Sequence, residues 1–532
     1  MKIKTIINKL QLLLNTVKYL KLKQLYFRVY YKVQSYSIFN PSAPVAYNCY
    51  SLQFDRSIPS PDSCNGNTFK FLNICKTFDS GFDWNFSENG KLWTYNLNYF
   101  DFLNQEKMLF DSGIKLIDRY IADFGKLKDG LEPYPISIRG INWIKFISNY
   151  RDSIPSEHLS VIENSLFQQY QFLSRNLEYH ILGNHLLENG FSLLFGAYYF
   201  QEELFYKKAK KILCFELEEQ VLEDGAHFEL SPMYHQIMLF RVLDCLNLVK
   251  NNDWKTHELL EMFELKAKKM LGWLSKMTFR DGSIPLLNDA VNEISPTTNQ
   301  INQYATELGV SSKCMTLSES GYRKYETKNY ECVVDVGHVG PDYQPGHAHA
   351  DTFNFVLNIN GKPIIVDTGT STYEKNERRH LERSTCSHNT VEVNQLNSSQ
   401  VWGGFRVAKR ASVFGLVEDS QSVEGTHDGY MSFGAYHTRS FKFNENEIII
   451  KDNVQSNTKA VSIAYLHFYP DQFISLKGNL IYGDDFLISL SENIKVSLEE
   501  YDCAVEFNKL RKAQQIVVQF DNKLETVFSL KE

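Results

Sequence analysis

Three stretches of this 532-residue chain concentrate side chains that can move protons or bind a metal. The densest reads GHAHADTFNFVLNINGKPIIVDTGTSTY, followed by RSTCSHNTVEV. His347 and His349 stand two apart in a segment of strand character, which would put both on one face. Asp367 ends the next predicted strand and His388 precedes a third. Two histidines and a carboxylate gathered by neighbouring strands can hold zinc with an open or water-filled fourth position. Four candidates leave one histidine over for catalysis, although HxH pairs also occur in strands that hold no metal. The second stretch, GNHLLENG, opens a helix with Asn184 and His185, and Asn189 shares the face of His185 one turn on. The third, EDGAHFELSPMYHQIML, carries His227, Glu229, Tyr234 and His235. Ser231 reads as a helix N-cap with Pro232 at the first helical position. Tyr234 then falls in the first turn, where the positive end of the helix lowers a tyrosine's pKa modestly. As helix caps or polar pairs between helices, these same residues would do no chemistry.

The elements that must position these groups change character along the chain. Residues 1–34 form a basic amphipathic segment, with eight Lys or Arg, no acid, and apolar residues at helical spacing. Such a segment can lie on an anionic membrane surface or an acidic glycan, or pack as a solvated helix on the main domain. Residues 35–90 are rich in Pro, Ser, Asn and Asp and read as an irregular connection. Residues 91–322 repeat apolar side chains at three- and four-residue steps, a pattern of many antiparallel helices able to close into a toroid. Residues 323–532 switch to short alternating runs, and Asn360-Gly361 between two of them signals a type I′ hairpin. The expected fold is therefore α+β and multidomain, an (α/α) toroid followed by an antiparallel β-sandwich.

A net charge of -7 argues against a nucleic-acid partner, though positive charge gathered in one cleft could still hold an acidic polymer. Nine widely spaced cysteines, an odd number, fit reduced thiols better than a disulfide framework. There is no apolar run long enough for a transmembrane helix, and the N-terminus does not read as a signal peptide. The expected location is cytoplasmic, with peripheral membrane contact through residues 1–33. Aromatics are abundant, 30 Tyr and 37 Phe, which suits either a Phe-rich core or platforms for sugar rings.

GNHLLENG, SPMYH, PGHAHADTFNFVL, PIIVDTGTSTY and RSTCSHNTV, in this order, resemble the heparinase II/III superfamily, which includes heparin, heparan sulfate and alginate lyases. The resemblance spans roughly residues 90–460, and its fold, toroid plus sandwich, agrees with the pattern. It implies that Tyr234 takes and delivers protons, that Asn184 and His185 face a uronate carboxylate, and that His347 is catalytic. It further implies one structural zinc per chain, held by His349, Asp367 and His388. Tyr373 falls at a sugar contact of some members. Arg379, Arg383 and Arg406 could grip anionic sugar groups with their guanidinium forks or form salt bridges at the domain interface, and Asn189 joins the substrate-binding set. RGINWIKF and LWTYNLNYFDFL resemble a branch found with bacterial surface-polysaccharide genes; Trp93, Tyr95, Asn98, Tyr99 and Trp143 could line the cleft or fill the toroid core.

The expected reaction is β-elimination on an acidic, uronate-containing polysaccharide. The C5 proton of a uronate is too weakly acidic to leave until the neighbouring carboxylate is neutralised. Asn184, His185 and His347 would supply that neutralisation, and Tyr234 or a histidine would take the proton while a tyrosine hydroxyl protonates the departing O4. A uronate C5-epimerase shares the first step and returns the proton. A non-catalytic glycan-binding or assembly protein on the same fold is the alternative from another class. No carboxylate pair is spaced as in a glycoside hydrolase. Oligomeric state is not readable from the chain.

Overall fold

In the computed structural model, residues 2–33, 47–79, 81–255 and 258–531 are described. The basic N-terminal segment forms two helices, α1 (Lys2–Val17) and α2 (Leu22–Val33). They are docked on the body: the Trp402 indole donates to the Thr16 hydroxyl at 3.1 Å, and buried Gln24 donates to the Ile181 carbonyl at 3.0 Å.

The stretch expected as an irregular connection is more ordered than its composition indicates, although residues 34–46 lie outside the described residues. It holds a small antiparallel sheet, β1 (Cys64–Asn65), β2 (Thr68–Phe71) and β3 (Ile74–Thr77). Phe69, Phe71, Phe78, Trp84 and Phe86 are buried in the core of the helical domain. The polar residues of this stretch therefore only separate aromatic anchors. Each fully buried aromatic contributes on the order of 2–3 kcal/mol of transfer free energy.

The helices that follow are α3 (Lys91–Tyr99), α4 (Phe110–Asp123), α5 (Pro133–Tyr150), α6 (Ser156–Arg175), α7 (Gly183–Phe200), α8 (Glu203–Gln220), α9 (Pro232–Asn251), α10 (Leu260–Met277) and α11 (Thr298–Glu307). α5 and α7 are buried over most of their circumference, which explains why both read as apolar on nearly every face. Close helix contact needs glycine here: a Cβ on Gly140 or Gly196 would lie 2.7 or 2.5 Å from the Tyr170 ring system. Trp93 and Trp143 are fully buried and belong to the core, whereas Tyr95 and Tyr99 reach the cleft described below. Asn98 is sealed, donating to the Trp84 and Thr94 carbonyls.

The sheet-rich half begins with the antiparallel meander β4 (Tyr322–Glu326), β5 (Tyr330–Asp335), β6 (Phe355–Ile359) and β7 (Lys362–Ile365). The β6–β7 hairpin turns on Asn360 (φ 50°) and Gly361 (φ 73°), the two left-handed residues a type I′ turn requires. A bridge between Ile365 and Phe468 links the meander to a second four-stranded sheet that includes β8 (Val391–Val393). An eight-stranded antiparallel sheet, built from strands between Val413 and Leu530, completes the sandwich. Phe355, Phe441, Ile516 and Phe528 from the three sheets share one core. A helical domain followed by an antiparallel sandwich is thus the observed architecture.

Candidate active site

A cleft of about 1780 Å³ lies where the helical half meets the sandwich. Tyr134, Asn184, His185 and Tyr234 line it from the helices, and His347, Tyr373 and Phe405 from the sandwich.

Asn184 and His185 are placed by the start of α7. Gly183 adopts φ 58°, and a Cβ there would sit 2.8 Å from the Glu229 carboxylate. Glycine therefore lets Glu229 accept from the Asn184 backbone N–H at 3.0 Å and from its Nδ2 at 3.2 Å. The second Nδ2 hydrogen of Asn184 stays available. His185 Nδ1 lies 3.1 Å from Glu178 Oε1 and its ring packs on Tyr134 with centroids 4.5 Å apart. Burial would lower the His185 pKa, but the Glu178 carboxylate raises it. Asn189 is fully buried and donates to Glu178 and Ser137. It orients the partner of His185 and does not reach the cleft, which corrects its expected contact with substrate.

Tyr234 sits in the first turn of α9, with Ser231 as the N-cap accepting from its N–H at 3.4 Å and Pro232 beside it. Its hydroxyl is 3.3 Å from that of Tyr373, and its ring lies 4.0 Å from the His347 ring. The expected lowering of its pKa by the helix end is overturned. Burial dominates and pushes the phenol above its usual value, so the resting group is a proton donor.

His347 and His349 are not in a strand, as their spacing implied, but in the loop before β6. What joins them is Asp289, a residue the motifs did not disclose. Its Oδ2 is 2.9 Å from His347 Nδ1 and its Oδ1 is 2.9 Å from His349 Nε2. Arg379 grips both oxygens with its guanidinium fork. Burial alone would raise the Asp289 pKa; Arg379 and the two histidines hold it well below the carboxylate range. An anionic Asp289 accepting from Nδ1–H leaves His347 Nε2 as the basic nitrogen, 3.5 Å from Glu229 and at the cleft edge. Glu229 itself is raised by burial.

The arginines take different roles, and Arg379 follows the salt-bridge reading. Arg379 is committed to Asp289. Arg383 is 1% exposed and donates to the Ala348 and Gly404 carbonyls, so it braces the histidine loop. Arg406 is exposed but does not line the cleft, its guanidinium lying 4.7 Å above the Trp402 ring. Tyr373, in contrast, lies in the cleft beside Tyr234. His227 and His235 are buried against Gln220 and the Met270 carbonyl and do not line the cleft.

The expected zinc ligands lie together, but not equivalently. His349 Nδ1 and His388 Nε2 are buried without hydrogen-bond partners, in rings 5.3 Å apart, as two ligands of one ion would be. Asp367 Oδ2 accepts from Asn354 Nδ2 and His388 Nδ1, both at 2.7 Å, and Oδ1 from the Gly369 N–H at 3.1 Å. A buried carboxylate oxygen without a hydrogen-bond partner belongs instead to Asp351, in the same HAHAD segment. Among the described residues, no three such side chains converge at coordinating geometry. The two histidines thus fit a metal, and Asp367 as it stands orients one of them.

The helical domain and the antiparallel sandwich thus enclose a tyrosine–histidine cleft between them. The Heparinase II/III N-terminus pattern matches residues 136–313 and the Heparinase II/III-like C-terminal pattern matches residues 312–531; the chain belongs to the heparinase II/III superfamily. A heparin-sulfate lyase of Bacteroides stercoris is 26% identical over 320 residues, 54% of this chain and 46% of that protein. One from Pedobacter heparinus is 26% identical over 267 residues, 44% and 39% of the two lengths. These matches therefore span less than half of the relatives' own lengths. In fold, the chain resembles the crystal structure of heparinase III, with TM-score 0.64, 16% identity, and 85% and 80% of the two chains covered. It also resembles the heparan sulfate lyase HepC of Pedobacter heparinus, with TM-score 0.59, 18% identity, and 96% and 88% covered.

Proposed function

We propose that this chain is a polysaccharide lyase that cleaves a uronate-containing polymer by β-elimination. The observation that carries the reading is the stacking of Tyr234 on His347 across the boundary between the two halves, with Asn184 and His185 in the same cleft. His185, whose pKa Glu178 raises against the effect of burial, and the free amide hydrogen of Asn184 neutralise the uronate carboxylate. His347 Nε2, its tautomer fixed by Asp289, takes the C5 proton. Tyr234 donates its hydroxyl proton to O4 as the C4–O4 bond breaks and the C4–C5 double bond forms. The names of the curated relatives agree with this chemistry. A structural zinc, when bound, would fix the loop carrying His347; His349 and His388 would hold it, completed by Asp367 or Asp351.

The charge of the cleft supports a narrower substrate. Six Lys or Arg line it against seven Asp or Glu. Arg241 is paired with Glu188, Lys145 with Asp244, Lys91 with Glu132 and Arg56 with Glu106. A densely sulfated chain would need an excess of cations. The cleft suits a polymer whose charge is mainly the uronate carboxylate.

Purified protein is to be incubated with unsulfated and sulfated uronate polymers and followed by the ultraviolet absorbance of the unsaturated product. A rise with wild type, greater on unsulfated chains and abolished in Tyr234→Phe and His347→Ala, is the expected result. Incorporation of solvent deuterium at C5 without absorbance would replace the lyase by an epimerase. Binding without either signal would leave a glycan-binding protein.

A further inference from the structure

The large apolar side chains left exposed by this fold are concentrated at its N-terminus. On α1, Leu10, Leu14 and Val17 are 54%, 69% and 37% exposed, at steps of four and three. On α2, Leu22, Tyr26, Val29 and Val33 repeat at four, three and four, and their exposures run from 62% to 83%. Each helix therefore turns one continuous apolar stripe to solvent.

The other sides of both helices are occupied by the body. Thr16 accepts from Trp402, and the Arg410 guanidinium sits 3.8 Å over the Tyr19 ring, both contacts reaching the sandwich. Gln24 and Phe27 bind the helical domain, the latter stacked 4.8 Å from Tyr179. The body thus grips the helices by their polar and aromatic backs and leaves the aliphatic stripes outward. A free amphipathic helix would bury such a stripe by turning it inward; here docking prevents that.

We infer that the stripes of α1 and α2 seat the protein on an anionic lipid surface. The occupant follows from charge. Residues 1–34 carry eight Lys or Arg and no acid, in a chain whose net charge is -7. A second copy meeting this face would set like charges against like, and an acidic glycan would gain nothing from the leucines. An anionic bilayer satisfies both features: acyl chains take the stripes at the headgroup boundary, and lipid phosphates take the lysines that the body does not engage, Lys21 being already paired with Glu219. Tyr26 and Tyr30 suit that depth, where an aromatic body and a polar hydroxyl meet different surroundings. Among the described residues no helix is long and apolar enough to cross a membrane, so the contact is interfacial.

The test is co-sedimentation of the full chain with vesicles of phosphatidylcholine alone and of phosphatidylcholine with phosphatidylglycerol. Binding only to the anionic vesicles is expected, weakened on the order of tenfold by L14E/V29E and by added salt. Both positions are exposed and neither lines the cleft, so circular dichroism and glycan cleavage should match wild type. No binding to anionic vesicles would overturn the inference. So would a concentration-dependent dimer that L14E/V29E dissolves, which would give the stripes to a second copy.

Discussion

Two buried clusters of nearly the same composition occupy different regions of this protein. In one, Asp289 holds His347, His349 and Arg379. In the other, Asp452 holds His437 at 2.7 Å and Arg439 at 2.7 and 3.0 Å, with His427 3.1 Å beyond His437. Both aspartates are buried, and in both burial opposes a charge that an arginine restores. They differ in how the chain supplies them. The Asp452 cluster comes from three neighbouring strands, Ser422–His427, Ala435–Phe443 and Glu447–Ser456, and is sealed beside Phe353. The Asp289 cluster joins a loop of the helical half to two segments of the sandwich, and His347 emerges at the cleft against Tyr234. The same three side-chain types thus make a brace inside one sheet and a reactive centre across a boundary.

The sharpest way to break the comparison is to neutralise both aspartates. Removing one partner of a buried ion pair costs about 3–5 kcal/mol, so Asp289→Asn and Asp452→Asn should lower thermal stability by similar amounts. Only Asp289→Asn should also reduce kcat, by a factor of about 10² or more, because His347 loses the acceptor that fixes its tautomer. Calorimetry, with kcat measured well below both melting transitions, checks this. An equal loss of kcat in Asp452→Asn would erase the distinction between brace and centre.

A pair of tyrosines sharpens it further. The Tyr234 hydroxyl has a single partner, Tyr373, at 3.3 Å, whereas the Tyr430 hydroxyl donates to the Val391 carbonyl inside the sandwich. Tyr234→Phe should cost about 10²–10⁴ in kcat and at most about 1 kcal/mol of stability. Tyr430→Phe should reverse the pattern, with about 1–3 kcal/mol lost and kcat unchanged within error. Unfolding curves and initial rates on the same preparations separate the two.

Much of the first cluster's surroundings was legible before any coordinates. The periods of 3.6 and 2 separated the two halves, Asn360-Gly361 marked the β6–β7 hairpin, and Ser231-Pro232 marked the start of α9. Tyr234, Asn184, His185, His347 and Tyr373, drawn from widely separated motifs, all reach one cleft. Asp289 escaped because nothing local distinguishes it: its partners are 58, 60 and 90 residues away, and LLND has no catalytic spacing. Glu178 is only seven residues from His185, in the segment before α7, and escaped because no motif spacing marks it. Arg379 and Arg383 stayed ambiguous because sequence registers a cation but not what its fork already holds. The segment before α3 misled because Pro, Ser and Asn outnumber the few aromatics that fix it to the core.

Acid offers a second test of the brace. The Asp452 carboxyl lies at about 2 against an ordinary 3.8, because Arg439 and His437 overcome the effect of burial. A depressed carboxylate contributes stability that is present above pH 3.8 and is lost as pH falls toward 2, roughly 2 kcal/mol in all. Asp452→Asn should remove that slope from the stability profile, and an unchanged slope would mean that Asp452 is not the titrating group.

The smallest effect belongs to the cleft and has the opposite sign. Burial lowers the His185 pKa but Glu178 raises it above 6.5, so the positive charge is complete below pH 6.5 and disappears as pH rises through the raised value. KM for a uronate polymer should be flat below pH 6.5 and climb above it, with kcat less affected. Glu178→Gln removes the carboxylate that retains the proton. The climb should then begin at lower pH, giving at most about a tenfold difference in KM at mildly alkaline pH. A KM limb that stays in place would detach His185 from carboxylate binding. Asn184 would then remain to hold the substrate's carboxylate, and the electrostatic difference between the two regions would rest on Asp289.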